Sequence, residues 1–303
     1  MPLTLATLLT AAVLLAPPPA ASQPATPIDE FLTRLEKVGG EVRDFRAGLS
    51  YEKYDKLLDE SERRFGRVVL EGVGKERRFA FLFEKFFDGS GRAETMRDHW
   101  VYAEGWIAEI DHTHKTFTKR QIVEPGKTFD PLKLGEGPFP LPLGQSKAEV
   151  LARFEASLSE VPDLPLLQSL KEVQGLHLVP KPGSALAEDT ASVDVFYDTA
   201  TLVPRGVVML ASKGDRTTVL LTEPALNVGL KAEDKALLVI PNPDPTGWAI
   251  DIRPWQGPKD ESALTQPATP PATPQPATPQ PATPQPAITK PAAPPPAAPA
   301  KAE

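Results

Sequence analysis

The sequence predicts an α+β domain: a strongly curved antiparallel sheet, or unclosed β-barrel, capped by one or two helices. Three observations lead there. Short apolar–polar alternations recur between Gly, Pro and Asp punctuation, as half-buried strands require. Helical patterns are few, and the strand–helix–strand rhythm of a parallel sheet is missing. One run, Arg78–Phe87, is apolar on both faces, with Phe79, Phe81 and Phe83 on one and Ala80 and Leu82 on the other. Such a strand belongs at the centre of a sheet covered on both sides.

Along the chain, Asp29 and Glu30 open an amphipathic helix with Ile28, Phe31, Leu32, Leu35 and Val38 on one face. Gly39-Gly40 ends or interrupts it. Residues 49–58 mix Tyr51 and Tyr54 with charges and fit strand or helix equally. Residues 67–71 and Arg78–Phe87 read as strands joined by a turn at Gly72-Val73-Gly74-Lys75, and Gly89-Ser90-Gly91 turns the chain again. Residues 99–103 and Trp106–Asp111 form a hairpin about Glu104-Gly105, and residues 115–123 supply a third strand. Trp106, Ala108 and Ile110 share one face of that hairpin, with Ile107, Glu109 and Asp111 on the other. Trp100 and Tyr102 give the preceding strand an aromatic face.

The alternation then stops. Gly135, Gly137, Pro138, Pro140, Pro142 and Gly144 cannot continue a central strand, because each proline lacks a ladder donor. Phe139, Leu141 and Leu143 alternate with those prolines, so an apolar loop leads into a helix predicted over residues 147–158, carrying Val150, Leu151, Phe154 and Leu158. This arrangement suits a lid on a cavity; a plain core-covering connection is the alternative. After Pro162 and Pro165, strands resume at residues 175–180, 192–198, 203–211 and 216–222. A last apolar run at 236–240 precedes Pro241-Asn242-Pro243, and residues 248–252 close the domain.

The 303 residues carry a formal charge of −7 and no cysteine. Residues 1–22 hold no charged side chain, and small residues at Ala20 and Ser22 set up cleavage before Gln23, the pattern of an export signal. Residues 23–27 form a short linker. With no cysteine there is no disulfide framework, nor the thiol a bacterial lipoprotein uses for its own lipid anchor. From Gln266 the chain repeats Gln-Pro-Ala-Thr-Pro units, so residues 256–303 are expected to be a disordered or polyproline tail. That leaves residues 28–255 as one folded domain with a sizeable core. Its acidic balance argues against nucleic acid and against charge-driven binding to anionic membranes.

No motif indicates catalysis. Gly126-Lys127-Thr128 resembles the end of a phosphate loop, but Gln121 stands where its first glycine belongs. His112 and His114 lack a diagnostic third zinc ligand and read as an exposed hairpin tip. There is no cysteine nucleophile and no G-x-S-x-G element. Neither a cofactor nor a metal is expected. What remains is apolar surface, much of it what any sheet core contains.

The order of parts resembles the LolA-type periplasmic lipoprotein carriers across residues 28–255. Gly66-Arg67-Val68-Val69-Leu70 matches that family's glycine-led second strand, and Arg77-Arg78-Phe79 its Arg-aromatic strand. Asp98-His99-Trp100-Val101-Tyr102 resembles its D-G-x-x-W-x-Y hairpin, and Leu176-His177-Leu178-Val179-Pro180-Lys181 its L-x-L-x-P-K strand. The family's Arg-Pro pair would fall near Glu71-Gly72, where neither residue is present. The resemblance implies an unclosed barrel that shelters acyl chains of lipoproteins or lipids in the periplasm. It implies a non-enzymatic, monomeric carrier that meets an inner-membrane release complex and an outer-membrane acceptor. The residues expected to line the cavity and lid are Phe79, Phe81, Phe83, Trp100, Tyr102, Trp106, Ile110, Phe139, Leu141, Leu151 and Phe154. A different class of function also fits: an envelope scaffold with the same fold, a filled cavity and a Pro-rich tail bound by a partner.

Overall fold

The computed structural model describes residues 26–127 and 146–257. Helix α1 (Pro27–Gly40) starts where local chemistry tells it to. Thr26 Oγ1 accepts from the Asp29 amide, and the Asp29 carboxylate reaches back to the Thr26 amide, each at 3.3 Å. This reciprocal capping box satisfies two donors that a helix start leaves orphaned, and Pro27 is suited to the first turn. Phe31 and Leu32 become buried.

Six strands follow as a meander: β1 (Asp44–Asp55), β2 (Glu60–Glu71), β3 (Arg78–Phe87), β4 (Ala93–Ala103), β5 (Trp106–Asp111) and β6 (Thr116–Gln121). The chain returns as α2 (Lys147–Arg153), β7 (Phe154–Ser159), β8 (Val173–Pro180), α3 (Ala185–Asp189), β9 (Thr190–Asp198), β10 (Pro204–Ala211) and β11 (Arg216–Leu226). Helix α4 (Ala232–Leu237) and β12 (Ala249–Arg253) complete it. All twelve strands form one sheet, ordered β12-β6-β5-β4-β3-β2-β1-β11-β10-β9-β8-β7. The two meanders meet where β1 pairs β11, from Phe45 opposite Leu226 to Tyr54 opposite Arg216. The sheet does not close: β12 and β7 are its edges.

One apolar cluster draws side chains from β1–β5, from β7–β11 and from α1 and α2. Strands so far apart in the order reach a common core only because the sheet curls about the helices. Register breaks at Arg46/Gly48, Phe65/Gly66, Phe83/Lys85 and Pro204/Gly206 bend the strands, as bulges do. Gly66 shows how tight one bend is. A Cβ there would lie 1.8 Å from the Leu82 carbonyl oxygen.

The convex face is covered too. Over β2–β6, Val69, Ala80, Leu82, Val101, Ala108, Ile110 and Phe117 pack under Leu237 and Leu238, with Leu230, Ile240 and Trp248 beside them. Over the other half, Leu167 and Leu170 cover Phe196 and Val208. The expectation that β3 is central, with both faces covered, is met: Phe79, Phe81 and Phe83 enter the concave core, Ala80 and Leu82 the convex one.

Two expectations need correction. The helix predicted over 147–158 ends at Arg153, and Phe154–Ser159 is strand β7, paired with β8 from Phe154 opposite Pro180 to Ser159 opposite Gly175. Satisfying the free edge of β8 outweighs the helical spacing of Leu158, which is left 38% exposed. Second, the sheet is not antiparallel throughout, since β12 runs parallel to β6. The apolar run at 236–240 begins in the last turn of α4 and serves as a convex-face cover through Leu237, Leu238 and Ile240.

Candidate functional site

The candidate site is the concave face where β3, β4 and β5 lie side by side. Register places Phe79 opposite Tyr102 and Phe81 opposite Trp100. The Phe79 and Tyr102 rings stack at 5.4 Å and 11°. Phe79 meets Phe81 edge-on at 5.6 Å, Phe83 meets Trp100 at 5.6 Å, and Tyr51 meets Phe83 at 6.0 Å. Edge-to-face and offset arrangements at these separations suit the ring quadrupoles. Across the curl, Leu176, Leu178, Val193, Val195 and Val207 complete the lining, and Phe31 of α1 meets Tyr197 at 5.9 Å. Burial pushes the Tyr197 hydroxyl far above its ordinary range.

Phe79, Phe81, Phe83, Trp100 and Tyr102 therefore share one surface, with Phe154 in the same core and Leu151 packed against it. Trp106 and Ile110 do not join them. They fall on the convex side of β5, where Ile110 packs under α4 and Trp106 carries the Lys119 ammonium 4.7 Å from its ring. The alternation of β5 delivers Ile107 to the concave face instead. Phe139 and Leu141 lie outside the described residues. Sequence reasoning missed Ile107 and the α1 side chains. Ile107 sits on the strand face that also bears Glu109 and so read as the polar one.

Two helices cover this face. Ser146 caps α2 by accepting from the Glu149 amide at 3.2 Å, with Glu149 returning the bond. Lys147 Nζ binds Asp29 Oδ1 at 2.6 Å, so the starts of α1 and α2 meet. The hydrogen bond from Lys147, aided by Thr26, holds the Asp29 carboxyl down at about 2.

Polar groups stand beside the rings: Glu109 is opposite Trp100 in register, and buried Arg64 is opposite Tyr51. Glu109 and Arg120 pair across β5 and β6. At the other end of these strands Asp98 stands opposite Asp111. Burial, helped by the like charge of Asp111, raises the Asp98 carboxyl to about 6. His114 Nδ1 binds Asp111 Oδ2 at 2.6 Å, and the side chain is 75% exposed, which fits the exposed-tip reading of that turn. His112 is different: its ring stacks on His99 at 6.4 Å and meets Trp248 edge-on at 5.8 Å. His99 Nε2 donates to the Leu237 carbonyl at 2.8 Å, and burial drives its pKa down to about 4. Among the described residues no group of three or more His, Asp or Glu is placed to hold a metal ion. None of their helices is long and apolar enough to cross a membrane.

No family model and no curated protein matches the chain. Among solved structures it is similar to an uncharacterized conserved protein from Thermus thermophilus. The identity is 15%, over 74% of this chain and 98% of that one, at TM-score 0.40. It is similar to a chain of the Pseudomonas aeruginosa MucA/MucB complex at 13% identity, over 67% of this chain and 58% of that one, at TM-score 0.37. It is also similar to the LolA superfamily protein NE2245 from Nitrosomonas europaea at 9% identity, over 69% and 97%, at TM-score 0.29. The architecture described above rests on its own strand order and register. It agrees with what the sequence resemblance implies, an unclosed barrel capped by helices.

Proposed function

We propose that this chain is a non-enzymatic carrier of the cell envelope that shelters acyl chains of lipoproteins or lipids against the concave face of its sheet. The observation that carries the reading is the continuity of that face. From Tyr102 and Phe79 on one side to Val193 and Leu178 on the other it is apolar, ring-lined, and covered by two helices rather than by another sheet. Each methylene moved from water into such surroundings is worth about 0.8 kcal/mol. A long acyl chain therefore gains on the order of 10 kcal/mol, enough to cross an aqueous space bound. On the reading of residues 1–22 as an export signal, that space is the periplasm.

Lipid extraction and mass spectrometry of protein purified from its native host test the reading. Acyl species in stoichiometric amount, with uptake of labelled lipoprotein, are expected. A lipid-free sample that takes up none would sink it.

A second reading is favoured by a specific observation. Phe79, Phe81 and Phe83 are only 1–2% exposed, and their rings already satisfy one another. A scaffold whose interior is filled by its own side chains would look the same, with residues 256–303 as the tether to a partner. Lipid uptake and tail deletion together separate the two: no lipid uptake by the full chain, with a co-purifying protein lost when residues 256–303 are deleted, favours the scaffold.

A further inference from the structure

The convex face carries two apolar covers with a polar strip between them. Leu237 and Leu238 lie over β2–β6, and Leu167 and Leu170 over Phe196 and Val208 of β9 and β10. The strip runs along β1 and β11, which stand side by side in the middle of the strand order. The outward residues of β1 there are Arg46, Gly48 and Ser50, since the intervening Ala47 and Leu49 enter the concave core.

Register brings two guanidinium groups together about the glycine. Gly48 stands opposite Arg67 of β2 and Thr222 of β11, and Arg46 lies two residues back on the same face. Diagonal neighbours of this kind have Cβ atoms about 7 Å apart, within reach of long side chains. Gly48 keeps the space between them clear of any side chain of its own. A Cβ there would lie 2.3 Å from Thr222 Oγ1, so that hydroxyl leans over the glycine.

The charge balance of this patch is positive, a local exception in an acidic chain. Among the outward neighbours of Gly48 on β1, β2 and β11, Arg46 and Arg67 are charged and none is a carboxylate. Counting the next carboxylates out keeps the sign. Glu52 stands between Arg63 and Arg216, Glu71 between Arg78 and Lys235, and Asp234 faces Arg67 at 3.6 Å. With Asp44 and Glu223 added, five carboxylates meet six cations, the sixth being Arg46. Arg46 forms no ion pair or hydrogen bond among the described residues, and its Nε, like that of Arg67, is buried without an acceptor. A desolvated guanidinium donor left without an acceptor is costly, and an anion at this place removes the cost.

We propose that this strip binds a phosphate group above Gly48, with its oxygens on the Arg46 and Arg67 guanidinium groups and the Thr222 hydroxyl. Planar guanidinium forks match phosphate oxygens in geometry as well as charge. A free phosphate ion and a glycerophosphate headgroup share this chemistry. The inference goes beyond the carrier reading and fails separately from it, because retention of acyl chains involves other residues, on the concave face.

Isothermal titration calorimetry of the full chain with inorganic phosphate, at ionic strength held fixed with sodium chloride, decides it. Saturable binding is expected. Arg46→Gln should weaken it about tenfold, with the thermal midpoint in phosphate-free buffer unchanged, since Arg46 makes no bond within the described fold. Arg46→Lys keeps the charge but not the planar fork and should weaken binding about threefold; it reads the site if the Gln variant fails to fold. Titration with sn-glycerol 3-phosphate identifies the source. Tighter binding than inorganic phosphate assigns a lipid headgroup and weaker binding the free ion, and both support the site. No heat beyond the chloride control overturns the proposal, as does phosphate binding that Arg46→Gln leaves intact, or acetate binding as tight as that of phosphate.

Discussion

Gly66 and Leu82 share a space that admits no methyl group. Gly66→Ala would place Cβ against the Leu82 backbone at 1.8 Å, and backbone cannot step aside as a flexible side chain does. We expect a loss of about 3 kcal/mol, read as a lowered denaturant midpoint at an unchanged slope. Two titrating groups set opposite pH dependences. His99 is neutral in the folded chain down to about 4, against about 6.5 unfolded. Its contribution is whole above pH 6.5 and is lost as pH falls towards 4, by about 3 kcal/mol. Asp98 holds its proton up to about 6 when folded, against about 3.9 unfolded. It therefore costs stability as pH rises between those values. In the native protein the two offset each other between pH 4 and 6. His99→Gln should leave stability falling as pH rises through that window, and Asp98→Asn should leave it falling as pH drops. Urea titrations at several pH values check both signs.

At the scale of elements, the segment after β11 is a structural part and not a trailing end. Leu230, Leu237 and Leu238 cover the convex cluster of Val69, Leu82, Ile110 and Phe117. Asp234 of α4 faces Arg67 at 3.6 Å, and Lys235 faces Glu71 at 3.4 Å. Ending the chain after Gly257 should leave the thermal midpoint within error of the full chain, because Leu264 and Ile288 are the only large apolar residues in the sequence beyond it. Ending it after Leu226 should abolish cooperative unfolding, by exposing that cluster along a whole sheet face. The aromatic strands were legible in the sequence because period-two alternation fixes which side chains travel together. Which face is concave was not legible, since both faces of β3 are apolar and the more polar face of β5, with Ile107 and Glu109, is the concave one, and so Trp106 and Ile110 were grouped with rings they do not meet. Strand β7 was hidden by helical spacing that continues past Arg153. The stack of His99 on His112 arises from register between β4 and β5, which no spacing along one strand reveals.

For the whole molecule, one curled sheet turns an apolar face inward under α1 and α2 and a covered face outward. The carrier reading requires that inner face to open to a guest, and four tryptophans make this measurable. Trp100 lies on the concave side, whereas Trp106 lies on the convex face and Trp248 packs against the convex cluster. Fluorescence quenching by a phospholipid brominated along its acyl chain tests the claim most directly. The account predicts saturable quenching that is largely lost in Trp100→Phe and kept in Trp106→Phe. Absence of quenching, or quenching that Trp100→Phe leaves intact, would contradict it.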